Sequence, residues 1–64
     1  MMFDVIVWYT EDSQRVIASG LREFDTAINY ANSEFARNRD AIVSVLTPNG
    51  FVKYEISEFG IQYT

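Results

Sequence analysis

Hydrophobic and polar positions follow a two-residue period over most of the chain and a longer period over one central stretch. From Phe3 to Thr10 the residues run Phe-Asp-Val-Ile-Val-Trp-Tyr-Thr, dense in β-branched and aromatic types and too short for a typical helix. The alternating sets Phe3, Val5, Val7, Tyr9 and Asp4, Ile6, Trp8, Thr10 are both substantially apolar. This predicts a strand in the middle of a sheet. Glu11-Asp12-Ser13-Gln14 is a polar break, and Arg15 to Leu21 resumes with Val16, Ile17, Ala18 and Leu21 as the second strand of a hairpin. Gly20, near the end of that strand, predicts a bulge of the kind found at sheet edges.

The period then changes. Asp25 is the predicted N-cap of a helix running from about Thr26 to about Arg37, a stretch free of Gly and Pro. Phe24, Ala27, Ile28, Ala31 and Phe35 fall in one helical stripe, whereas Asn29, Asn32, Ser33 and Arg37 lie elsewhere. Ala27 and Ala31 are small enough to let the helix approach a sheet closely. Ala41 to Leu46 restores a β-branched run and predicts the third strand. Thr47-Pro48-Asn49-Gly50 matches a type I turn followed by a left-handed glycine. Phe51 to Phe59 alternates Val52, Tyr54, Ile56 against Lys53, Glu55, Ser57, as a half-exposed strand at a sheet edge does. Gly60 to Thr64 is a short tail whose Ile61 and Tyr63 either extend that strand or cross an edge.

These elements define an α+β fold of order ββαββ: a four-stranded antiparallel sheet in the order 2-1-3-4 with one helix packed on one face. The helix-covered face is expected to take Val5, Val7, Val43, Val45, Val52, Tyr54 and Ile56. The other face takes Ile6, Trp8, Ile42, Ser44, Leu46, Phe51, Lys53 and Phe59. One helix cannot cover both faces, and a one-residue slip in register would invert a strand.

Composition narrows the functional classes. The 64 residues form a single domain, 1–64, and carry five Lys and Arg against nine Asp and Glu, a net charge of −4. Broad attraction to phosphate backbones or anionic lipid is therefore not expected. With no Cys and no His, disulfides, Cys-based or His-based zinc sites, thiol nucleophiles and imidazole catalysis are excluded. A content of 48% hydrophobic residues, ten of them aromatic across the five Phe, four Tyr and one Trp, separates the chain from disordered sequences. No apolar run approaches the roughly 20 residues that span a bilayer. Met1-Met2-Phe3-Asp4 lacks a basic segment and places Asp4 inside the apolar stretch, so no secretory signal is expected. A cytoplasmic, non-membrane protein without cofactor or metal is the expectation.

The open sheet face carries the sharpest functional signal. Ile6, Trp8, Leu46 and Phe51 are the candidate contact anchors for a protein partner, with Tyr9, Lys53 and Phe59 at the periphery. The competing arrangement puts Trp8 under the helix and leaves the opposite face solvated. Catalysis has little to draw on: the Ser hydroxyls have no histidine to activate them, and the acidic pairs Glu11–Asp12 and Glu55–Glu58 do not converge on one point. An aromatic sheet is also the geometry by which RNA-binding sheets stack bases. Here the basic residues are few, Arg37 and Arg39 at the helix exit and Arg15, Arg22 and Lys53 scattered among acids. Mimicry of nucleic acid by the acidic residues is a further alternative, with the charge spread thinly over turns and strand ends.

The Phe24-Asp25-Thr26-Ala27 helix start, the helix centred near Tyr30 with Asn29 and Asn32 beside it, and the Asn49-Gly50 hairpin resemble a pattern in small uncharacterised phage and bacterial ββαβ-type accessory proteins. The phage-encoded inhibitors of bacterial RNA polymerase are similar in length and element order. The resemblance implies a small inhibitor that binds a host protein. Together with the open face it leads to the expectation of a non-catalytic protein-binding module. The alternatives are a homodimer formed through sheet faces or edges and a single-stranded nucleic-acid-binding sheet.

Overall fold

A computed structural model describes every residue from Met1 to Thr64. Its elements run in the order β1 (Phe3–Thr10), β2 (Ser13–Leu21), α1 (Phe24–Arg37), β3 (Ile42–Leu46), β4 (Val52–Ser57) and β5 (Gly60–Tyr63). The strands form one antiparallel sheet in the order β2-β1-β3-β4-β5, with α1 across one face. The expected 2-1-3-4 order is present, and a fifth strand extends it.

That fifth strand corrects the four-strand expectation. The run predicted as one strand from Phe51 to Phe59 begins at Val52 and stops at Ser57, where Glu58 and Phe59 form a tight turn. Gly60 leaves the turn at φ +116°, a backbone region that side chains with a Cβ rarely occupy. The chain then folds back, pairing Ser57 with Gly60, Ile56 with Ile61, Glu55 with Gln62 and Tyr54 with Tyr63.

Helix α1 starts earlier than the capping signal predicts. Glu23 stands at the N-cap in extended backbone without a side-chain capping bond, and Asp25 lies inside the first turn. Phe24 joins the helix because its ring packs on Phe3, with centroids 5.2 Å apart. Asp25 and Arg37, at opposite ends, still suit the helix dipole. At the C-terminus the Asn38 N–H donates to the carbonyls of Glu34 and Phe35.

Ala27 and Ala31 are fully buried against the sheet, where Val5, Val7, Val43 and Val45 are equally inaccessible. Two small residues on the helix thus meet four β-branched ones, a pairing that lets helix and sheet approach closely. Tyr54 completes this core and donates its hydroxyl to Asn32 Oδ1 on the helix. Ile17, Leu21, Phe24, Ile28, Phe35 and Ile56 pack around its rim.

Val52 departs from the expected core. Val45 pairs with Tyr54 but Leu46 pairs with Val52, so Lys53 is an extra residue in β4 and the alternation slips there. Val52 consequently sits opposite Leu46 and is exposed. Three register shifts interrupt the β1–β2 pairing, at Ile17, around Gly20, whose N–H donates to Asp4 Oδ1, and at Tyr9 next to the turn.

The β3–β4 turn has the predicted form. Gly50 N donates to Thr47 O at 2.9 Å, Thr47 N to Phe51 O at 2.9 Å, and Gly50 has φ +87°. A Cβ at Gly50 would meet no atom within 4 Å, so strain there comes from the backbone alone. Gly50→Ala is expected to cost about 1–2 kcal/mol, read as a lower urea midpoint at unchanged slope.

The Tyr54 hydroxyl is held above the ordinary tyrosine range, first by burial and then by nearby Tyr63, against the opposing pull of the Asn32 bond. The folded state therefore favours the neutral phenol. This contribution is complete below about pH 10 and is lost as pH rises through the raised value. Alkaline titration of tyrosine absorbance should show a late component that accompanies unfolding and disappears in Tyr54→Phe.

Candidate functional site

The sheet face away from α1 has no covering element. Directly opposed residues share a face, so the register defines its rows: Val16, Ile6, Ser44, Glu55 and Gln62 in one; Gln14, Trp8 and Ile42 in a second; Asp4, Leu46 and Val52 in a third. Ile6, Trp8 and Leu46 are half-buried, Ile42 is 40% exposed, and Val16 and Val52 are also exposed. Together they form an apolar stripe running diagonally over β2, β1, β3 and β4. Ser44 lies in the middle of this face yet is only 2% exposed.

The structure brings three of the expected anchors together and separates the others. Ile6, Trp8 and Leu46 lie on this face on adjacent central strands. Phe51 precedes β4 in the turn and is exposed off the sheet, its backbone used to close the hairpin. Phe59 occupies the β4–β5 turn, 91% exposed and outside the face. Continuing the alternation of a single long strand puts both on this face, but the bulge at Lys53 and the turn at Glu58–Phe59 interrupt that alternation. Lys53 is half-buried at the bulge. Val16 and Val52 also belong to the face, which simple alternation does not reveal, because only the register shifts put them there.

At the end of the stripe the surface opens into a cleft of about 390 Å³ lined by Trp8, Tyr9, Thr10, Glu11, Asp40, Ile42 and Glu55. Trp8 and Ile42, cross-strand partners, supply aromatic and aliphatic surface, and three carboxylates stand around them. No basic side chain lines this cleft. Its field is negative over an apolar floor, an arrangement suited to the stem and head of a cationic side chain. No group of acidic side chains has the spacing to hold a metal ion.

The basic residues lie elsewhere. Arg15 opposes Val7 on the helix side of β2 and, with Arg37 and Tyr30, borders a second depression there. Arg39 extends over the Phe35 ring at 5.7 Å from its centroid. No helix is long and apolar enough to cross a membrane. No protein-family model, curated protein or solved structure matches the chain.

Proposed function

We propose that this protein is a small non-catalytic protein-binding module whose uncovered sheet face docks on a partner. The observation that carries this reading is the row pattern itself: one helix covers one side of a five-stranded sheet, and Ile6, Trp8, Ile42, Leu46 and Val52 face outward on the other. Apolar side chains clustered on a monomer surface and rimmed by charge mark contact sites, and tryptophan is prominent among interface hot spots. A protein surface suits this face better than nucleic acid does, because Glu11, Asp40 and Glu55 border it and Lys53 is the basic residue at its margin. The partner we propose for this face is a host protein that the module occupies or inhibits in the cytoplasm.

Affinity capture from a bacterial lysate, followed by titration of the recovered partner, tests the reading. A partner bound by the wild-type chain and by Tyr30→Ala, which alters the exposed side of α1, should be lost with Trp8→Ala. Equal loss in both variants, or in Tyr30→Ala alone, would move the contact to the helix. Retention on single-stranded RNA that weakens steeply with salt would replace the reading with nucleic-acid binding.

A further inference from the structure

We infer that β5 is the pairing edge of a two-fold symmetric homodimer in which two sheets join into one. The inference is independent of the open-face reading, since edge pairing leaves that face free.

The two edges of the sheet differ. β2 carries Arg15 and pairs with β1 through three register shifts, features that twist an edge or charge it against further pairing. β5 has neither. Gly60-Ile61-Gln62-Tyr63 holds no charge and no proline, pairs with β4 without a shift, and is exposed throughout. Helix α1 packs on β1 to β4 and does not reach β5. Ile61 and Tyr63 oppose Ile56 and Tyr54 and so lie on the helix side of the sheet, 53% and 66% exposed. The Tyr63 ring packs edge-on against Tyr54, centroids 5.1 Å apart, a contact that restricts its rotamers before docking.

The ladder shows which backbone groups are free. Thr64 N donates to Lys53 O, making that pair hydrogen-bonded, and antiparallel bonding alternates from there. Gln62 therefore turns its N–H and C=O toward β4, whereas Ile61 and Tyr63 turn theirs outward.

A second copy fits this pattern in one register. A two-fold axis through Gln62 sets each Ile61 opposite the other copy's Tyr63, so that every such pair exchanges both of its N–H···O=C bonds. The same register places Ile61 and Tyr63 from both copies side by side between the two helices, an aliphatic–aromatic cross-strand pairing. Charge favours this site over the others: a chain of net charge −4 resists self-association, and an acidic-rimmed face resists it most, but β5 brings no like charges together. The contact is short, so the dimer is expected to be reversible, at the small end of specific interfaces.

Sedimentation velocity on the full chain from about 10 µM to about 1 mM should show the mass rising from one copy to two. Gln62→Lys sets like charges opposite each other at the axis, while giving β4 a new partner for Glu55 within the same chain. It should weaken dimerisation at least tenfold, and Val16→Lys on β2 should leave it unchanged. In parallel, the Ile61 and Tyr63 amides of the wild-type chain should exchange slowly at high concentration and fast at low concentration, a readout that needs no variant. A monomer throughout the range, concentration-independent exchange at those amides, or a dimer weakened by Val16→Lys or Trp8→Ala but not by Gln62→Lys would overturn the inference.

Discussion

Tyr54→Ala is expected to abolish cooperative folding. Tyr54 is 1% exposed and has Val45 and Tyr63 as its neighbours across the sheet, with its hydroxyl bonded to Asn32 of α1. It is thus the one aromatic side chain that ties the helix to both β3 and β5. Removing a buried aromatic ring typically costs about 3–5 kcal/mol, because the apolar contact is lost and the cavity does not close. A domain of roughly 60 residues holds only a few kcal/mol in total, so the loss approaches the whole stability. Tyr54→Phe separates the two contributions. The ring stays, the Asn32 bond goes, and the expected cost is about 1 kcal/mol with the fold intact. Urea titration followed by circular dichroism should show no transition for the alanine variant and a lowered midpoint for phenylalanine. An alanine variant that unfolds cooperatively with a loss under about 1 kcal/mol would remove Tyr54 from the centre of the core.

Trp8→Ala is expected to do the reverse, sparing the fold and removing the partner. Trp8 is half-buried, lies outside the buried core cluster and has Ile42 as its cross-strand neighbour on the uncovered face. Loss of that pair should cost about 1 kcal/mol of stability or less. At an interface, a truncated tryptophan hot spot costs about 2 kcal/mol or more, which weakens binding roughly 30-fold. Calorimetric titration of the partner should give that loss in affinity, with the urea midpoint only slightly lowered. In the wild-type chain a neutral quencher should reach the indole when the protein is free and be shielded from it in the complex. A variant that fails to fold, or an indole already shielded in the dilute free chain, would place Trp8 in the interior and remove it as a contact.

Much of this architecture is legible along the chain. The apolar density of Phe3 to Thr10 and of Ala41 to Leu46 marks β1 and β3 as central strands, because a strand flanked on both sides needs no polar face. Thr47-Pro48-Asn49-Gly50 encodes its turn through local backbone preferences alone. The helix boundary is less readable: Asp25 is a good capping residue, but the Phe3–Phe24 contact draws two further residues, Phe24 and Asp25, into α1. The hairpin that makes β5 was missed because Glu58-Phe59-Gly60 lacks the Asn-Gly or Asp-Gly signature of a tight turn. The candidate site suffered in the same places. Ile6, Trp8 and Leu46 sit on regular strands and could be assigned by alternation, while Phe51 and Phe59 flank irregularities and could not.

The amino-acid order by itself determined that strands of period two would enclose one amphipathic helix, where most of the chain would turn, and that one side of the sheet would lack a cover. These follow from interactions among near neighbours. Tertiary structure alone decided how the sheet ends, since the turn at Glu58–Phe59 folds the chain back as β5, and which side Val52 and Val16 occupy, since each depends on one extra residue inserted in a strand. Such a bulge changes little in local preference but reverses every side chain beyond it, so its place is chosen by how well the neighbouring strand and the helix then pack.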